Sequence, residues 1–179
     1  MTDKDIIRLY SEGGCQEAFR LLVQTYRERL YWHIRHLVLD HDDADDCLQN
    51  TFIKVWQSLD RFRGDSQLYT WLYRIATNEA ITFLNKQQTR SGASKLEAAE
   101  RLHSDPWFDG DELQAALHRC IAKLPPKQKA VFVLRYFEEM PYEKIASVLE
   151  TSEGALKASY HHAYEKVKKW LSNEIDVRY

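Results

Sequence analysis

Asp42, Asp43, Asp45 and Asp46 fall within five consecutive positions, and carboxylates at that density are the groups that would hold a divalent cation for hydrolysis. On one helix Asp42, Asp45 and Asp46 share a face. No further carboxylate, glycine loop or histidine partner is placed beside them, so a metal-dependent nuclease is the weakest reading. His33, His36 and His41 lie close together, but nothing supplies a fourth ligand, and each reads as a surface or interface histidine. Cys15, Cys47 and Cys120 are odd in number and form no CxxC pair; they read as reduced thiols packed like small apolar side chains. No metal and no cofactor is expected.

A second group has a different chemistry. Phe62, Arg63, Tyr69, Trp71, Tyr73 and Arg74 combine rings and guanidinium groups within a short span. Such side chains stack on bases that have left a duplex, while cations hold the backbone. Trp71 sits on an apolar stripe with Leu72 and Ile75 and reads as core, which leaves loop 62–69, with Asp65 and Ser66, as the better site for capturing a base. Asn78, Asn85, Lys86 and Arg90 continue along the same helical run and suit a nucleic-acid strand. A third group is Lys157, Ser159, His161, His162, Lys166 and Lys169. It is preceded by Thr151 and Ser152, whose hydroxyls and free first-turn amides suit a phosphate. The net charge of −2 hides this unevenness and argues against a protein that coats any nucleic acid, yet local basic patches permit docking at defined phosphates.

The elements that carry these groups are helical. Apolar residues recur at spacings of three and four in Phe19, Leu22, Val23, Tyr26, Leu30, Ile34 and Leu37, the period of an amphipathic helix. Asp42 or Asp43 is expected to cap the next helix, whose apolar stripe is Ala44, Cys47, Leu48, Thr51, Phe52, Val55, Trp56 and Leu59. Its opposite face carries Asp45, Asp46, Gln49, Asn50, Lys54 and Gln57. A third helix follows the loop Arg61 to Ser66. Residues 88–110 are polar with a Ser104-Asp105-Pro106 turn signal and read as a flexible connector, in which Leu96, Ala99 and Leu102 could form a brief helix. Four more helices follow. The short helix at Pro141 to Leu149, the turn Glu150-Thr151-Ser152 and the longer helix from Glu153 read as a helix-turn-helix. Glu150 is tolerable in that turn if its backbone stays at negative φ. With no period-two alternation, the fold class is all-α: domains 1–88 and 111–179, joined by linker 89–110. No window nears the roughly 18 apolar residues of a membrane span, and Met1 to Asp5 shows no basic stretch or apolar run of a signal peptide. A cytoplasmic location without membrane contact is the expectation.

Three stretches together carry a resemblance: DDADDCLQNTFIKVW at 42–56; FRGDS at 62–66 leading into TWLYRIATN at 70–78; and LPPKQ at 124–128 with LRYF at 134–137 and YEKIA at 142–146. In this order, around a polar linker, they resemble the extracytoplasmic-function sigma factors of bacterial RNA polymerase over almost the full chain. The resemblance implies two helical domains and no enzymatic activity. The first domain would bind core polymerase, through Asp45, Asp46, Gln49, Asn50 and Lys54, and open the −10 element, through Phe62, Arg63, Asp65, Ser66, Tyr69, Arg74, Asn78, Asn85 and Lys86. The second would read the −35 element through Thr151, Ser152, Lys157, Ser159, His161, His162 and Lys166. Promoter DNA and core polymerase are the implied partners, commonly joined by an anti-sigma factor. The family pattern has glutamate where this chain has Asn50, and many members carry arginine where it has Ser159 and His162. A stand-alone helix-turn-helix regulator would account for 125–171 but leave 42–90 unexplained.

Overall fold

The computed structural model describes residues 2–90, 105–108 and 111–177, and the described residues are helices, turns and short loops. The order is α1 (Asp3–Ser11), α2 (Cys15–Val38), α3 (His41–Ser58), a single turn at Leu59–Arg61, α4 (Leu68–Arg90), a single turn at Pro106–Phe108, then α5 (Glu112–Ala122), α6 (Pro126–Tyr136), α7 (Tyr142–Leu149) and α8 (Glu153–Asp176). The all-α expectation holds. Of the connector 88–110, residues 88–90 continue α4 and Asp105 to Phe108 form a turn; the remainder, with the brief helix expected at Leu96 to Leu102, lies outside the described residues.

Local chemistry explains the boundaries. Asp40, rather than Asp42 or Asp43, caps α3, its carboxylate accepting from the backbone N–H groups of both. Three nearby aspartates can each serve as caps, and Leu39, at φ 68°, turns the chain so that Asp40 arrives first. Pro126 opens α6, where a missing N–H costs nothing. α1 was not anticipated, although its nine residues are amphipathic, with Ile6 buried and Leu9 and Tyr10 packed half-buried on the core; the Tyr26 hydroxyl, donating to Asp3 at 2.6 Å, ties it down.

α1 to α4 pack around Leu22, Leu30, Ile34, Leu48, Val55, Leu72, Tyr73 and Ala80, all buried. α5 to α8 pack around Cys120, Ile121, Phe132, Leu134, Ile145, Leu156 and Ala163. These two sets are not separate: they belong to one continuous apolar cluster, with α6 lying on α2 and α4, and α7 on α4. Buried Lys129 of α6 donates to the carbonyl of Leu37 at 3.5 Å, at the end of α2 where the helix dipole favours a cation.

Candidate nucleic-acid and protein interfaces

On α3 the apolar stripe divides. Ala44, Cys47, Leu48, Thr51 and Val55 are buried, but Trp56 is 47% exposed and Ile53 54%. These two lie with Phe19, Val23, Gln49 and Phe52 along an open groove of about 530 Å³ between α2 and α3. The periodic pattern places Trp56 among core residues; the structure leaves it at the surface, with its ring 5.0 Å from that of Phe19. Asp46, Gln49 and Asn50 are exposed on the same helix. Asp45 is half-buried and faces the His41 imidazole at 3.4 Å, and Lys54 pairs with Glu79 of α4. No cluster of metal-ligating side chains occurs among the described residues, in keeping with Asp40 serving as a cap. The Cys47 thiol behind this face is pushed up to about 12 by burial and then by Glu79, Asp43 and Asp46, so it stays a protonated, inert packing group.

The loop 62–67 is the most open part of the first half. Arg63, Gly64 and Asp65 are exposed, with Ser66 half-buried beside them, and Gly64 takes φ 77° with open space around it. Phe62 packs on Trp71 at 5.1 Å, and both are half-buried, so Trp71 is only partly the core residue its stripe suggests. Tyr69 packs at a tilt against Tyr73 at 4.7 Å and lies under the Arg29 guanidinium at 5.1 Å. Asn78, Asn85 and Lys86 are exposed along α4. Arg74, by contrast, has a partner: its Nε donates to the carbonyl of Ser147 at 3.0 Å.

In the second half Ser152 caps α8 by accepting from the N–H of Ala155 at 3.3 Å, and the Thr151 hydroxyl donates to the carbonyl of Leu149 at 3.0 Å. Thr151, Ser152, Lys157, His161, His162 and Lys166 are exposed and Ser159 is half-buried. Lys157 stands 5.8 Å over the Tyr142 ring, and Lys166 donates to Gln128 at 3.2 Å. The turn differs from the expectation: Glu150 adopts φ 52° and ψ 47°, a left-handed cap. The reason is closure of α7, since the N–H groups of Glu150 and Thr151 both return to the carbonyl of Ala146, which a left-handed residue at this position permits.

The chain therefore presents a mixed polar and apolar helix face, an open aromatic loop and a capped helix-turn-helix. Comparison with known proteins separates the readings. Residues 22–90 match Sigma-70 region 2 and residues 114–167 match Sigma-70 region 4. The RNA polymerase sigma-H factor of Pseudomonas aeruginosa is 34% identical, covering 89% of each chain. The ECF RNA polymerase sigma-E factor of Escherichia coli K12 is 32% identical, covering 93% of each. The chain belongs to the extracytoplasmic-function sigma factors. It is thus an initiation factor that binds core RNA polymerase and directs it to promoters, in a family that does not consist of enzymes. The fold agrees: CnrH, solved in complex with the cytosolic domain of CnrY, superposes with a TM-score of 0.70 at 25% identity, covering 96% of this chain and 99% of that one. The sigma factor RpoE of Bartonella quintana, solved with the anti-sigma factor NepR, gives 0.66 at 22% identity, covering 86% and 96%. A stand-alone regulator leaves the region 2 match unexplained. Among the described residues of this sigma factor no helix is long and apolar enough to cross a membrane.

Sequence reasoning missed two features of these surfaces. Exposure of Trp56 is invisible to a periodicity that treats every residue of the apolar stripe as buried, and Ile53, which lies off that stripe, is given no role. His33 is not at the surface: it is wholly buried, its Nε2 paired with the Thr77 hydroxyl at 2.8 Å, and burial pushes it down to about 3.

Proposed function

We propose that residues 1–88 form the polymerase- and −10-binding domain and 111–179 the −35-binding domain of this sigma factor, joined by linker 89–110. Core polymerase docks on α3 through Asp46, Gln49 and Asn50, with Ile53 and Trp56 filling an apolar pocket of the partner. Asp45 and Lys54 position that face through His41 and Glu79. The carrying observation is the pair of exposed apolar side chains beside carboxylate and amide groups on one helix, since such patches mark protein interfaces. The −10 strand is taken by Phe62, Arg63, Asp65, Ser66 and Tyr69 and followed by Arg74, Asn78, Asn85 and Lys86. The −35 duplex is read by Thr151, Ser152, Lys157, Ser159, His161, His162 and Lys166. An anti-sigma factor competing for these surfaces is consistent with the complex of the Bartonella relative.

Asp46→Arg with Gln49→Ala tests the docking face. Core affinity should fall at least about tenfold, or 1.4 kcal/mol, with the thermal melt unchanged, because both side chains are solvent-exposed. Trp56→Ala should add to the loss. Unchanged core affinity in the folded double variant refutes the assignment. The −35 reading is tested by Lys157→Ala, expected to cost about 1–3 kcal/mol if Lys157 reads a base edge.

A further inference from the structure

Buried Leu156, Ala163 and Val167 fix the inner side of α8. Counting about 100° per residue from Leu156 puts Gly154, Ala158 and Glu165 at the middle of the outer face. Lys157 and His161 then run along one side of it, and His162 and Lys166 along the other. All seven are exposed, and a side chain at 154 would point into open space, so a duplex can approach closely between the two rows. From Glu153 to Lys166 the fixed charges are Lys157 and Lys166 against Glu153 and Glu165, a net of zero, which is a weak attraction for a polyanion. The imidazoles are the groups that can change it. An exposed histidine titrates near 6.5, and two imidazolium ions bring the same face from zero to +2. The two rings lie 6.0 Å apart. On α8 they are flanked by Lys157 one turn before His161, Lys166 one turn after His162 and Glu165 one turn after both. On the His161 side, Lys157 stands 5.8 Å over the Tyr142 ring of α7, and Arg135 of α6 stands 4.7 Å over the same ring. On the His162 side, Lys166 donates to Gln128 of α6 at 3.2 Å, and Lys127 lines the cleft beside Ser159. Glu165 is the one carboxylate among these flanking groups and serves two rings; phosphates of a docked duplex supply further counter-charge.

We propose that −35 recognition by this sigma factor is proton-coupled: His161 and His162 bind phosphates of the −35 duplex as imidazolium ions, so promoter binding takes up protons and strengthens as pH falls. The proposal rests on the assignment of α8 to the −35 element. A phosphate beside an imidazole favours its charged form, so each ring holds its proton to higher pH with DNA than without. Affinity is therefore lowest well above neutrality, rises as pH falls through the DNA-bound value, and levels off below about 6.5, where exposed histidines are charged with or without DNA. Each further phosphate neutralised steepens the dependence of log affinity on log salt by about 0.9, so two rings add up to about 1.8. By linkage, the duplex raises the proton affinity of the rings by the same factor that protonation raises the affinity for the duplex.

The test uses the full chain in the holoenzyme, with core polymerase in excess so that His41, beside Asp45 on the docking face, does not limit binding. The probe is a fluorescein-labelled duplex long enough for both promoter elements, selected from a random pool by the wild-type holoenzyme. Wild-type affinity should rise at least about fivefold between pH 7.5 and 6.0, with a steeper salt dependence at the lower value. His161→Gln with His162→Gln keeps polar side chains without titration and should abolish both changes. His161→Arg with His162→Arg makes the charge permanent; at pH 7.5 it should bind at least about fivefold more tightly than the wild type and not respond to pH. Both positions are exposed, and circular dichroism checks that each variant keeps its helix. Calorimetry in two buffers of different ionisation enthalpy should show more proton uptake on binding by the wild type than by the glutamine variant. A wild-type affinity that does not change with pH overturns the proposal, and so does a gain that survives in the glutamine variant. Lys157→Ala distinguishes this outcome from failure of the −35 assignment. If Lys157→Ala weakens binding while pH has no effect, α8 stays at the −35 element and the proton coupling falls. If Lys157→Ala and the glutamine variant both bind as the wild type does at pH 6.0, the α8 assignment falls, and the coupling with it.

Discussion

Glu150 is the residue at which backbone conformation and surface charge meet. Its left-handed φ of 52° puts its Cβ against its own carbonyl, a strain of about 1–2 kcal/mol for an L-residue other than glycine. Its carboxylate meets Arg74 at 4.0 Å with a side chain 76% exposed, a contact that contributes little by itself in water. Glu150→Gly and Glu150→Ala remove that carboxylate alike and differ in the need for positive φ. Glycine at 150 should therefore be the more stable by about 1 kcal/mol, read as a difference in urea midpoint at constant slope. Equal stabilities would mean the turn relaxes to negative φ once the charge is gone. The sequence marks a turn here but not its handedness, because Glu150 has no local preference for it; the requirement comes from two N–H groups converging on Ala146. Cap choice fails in the same way. Asp40, Asp42 and Asp43 are chemically equivalent, and only the turn at Leu39 selects the first.

Among the elements, most helices were legible from their apolar stripes, and the eight-residue α7 from the proline before it and the turn after it, whereas the nine-residue α1 was missed although Ile6, Leu9 and Tyr10 give it an apolar face. Face assignment was half legible. Asp46, Gln49 and Asn50 fall opposite the stripe by arithmetic, and Ile53 lies off it with them, but the stripe runs on through Trp56, and nothing local says that α2 ends its cover at Phe19. The loop between the turn at Leu59–Arg61 and α4 is an element of the opposite kind: Arg63, Gly64 and Asp65 are exposed, and a side chain at 64 would point into open space. Little packing depends on it, so its sequence is free to serve recognition. Exchanging residues 63–66 for the loop of another family member should change which −10 base is preferred, by about 1–3 kcal/mol per position, while core affinity stays as it was. Run-off transcription from a −10 library, with permanganate footprints of the opened strand, measures both. An unchanged base preference with an intact bubble would remove the loop from the site.

At the scale of the molecule, the contact between halves is what a local reading of sequence could not supply. Two amphipathic sets each look complete, and their shared cluster appears only in three dimensions. At this seam Trp107 brings together Trp32 and His36 of α2 and His118 of α5, and Phe137 stacks on both imidazoles. The charged groups facing the imidazoles are Arg35 and its partner Asp105. Burial drives His36 down to about 4, opposed by a hydrogen bond to the Trp32 backbone and reinforced by Arg35; burial, then His36 and Arg35, drive His118 down to about 3. The Nδ1 atom of His118 has no hydrogen-bond partner. Both rings are thus neutral in the closed form across the neutral and mildly acidic range, whereas an exposed histidine titrates near 6.5. Above that value neither form binds the proton and closure is unaffected. Below it the opened chain takes up protons that the closed chain refuses, so closure weakens as pH falls from about 6.5 towards 4, by up to about 1.4 kcal/mol per histidine per pH unit. Half-buried Glu138 opposes this: partial burial raises its carboxyl, so acid relieves a penalty in the closed form. Two interface histidines outweigh that single carboxylate over the upper part of the window. Spin-label distances between the halves should broaden between pH 7.5 and 5.5. His36→Phe with His118→Phe, which keeps the stacking and removes the titration, should abolish that change. The same broadening in the double variant would move the proton-sensitive contact away from this seam.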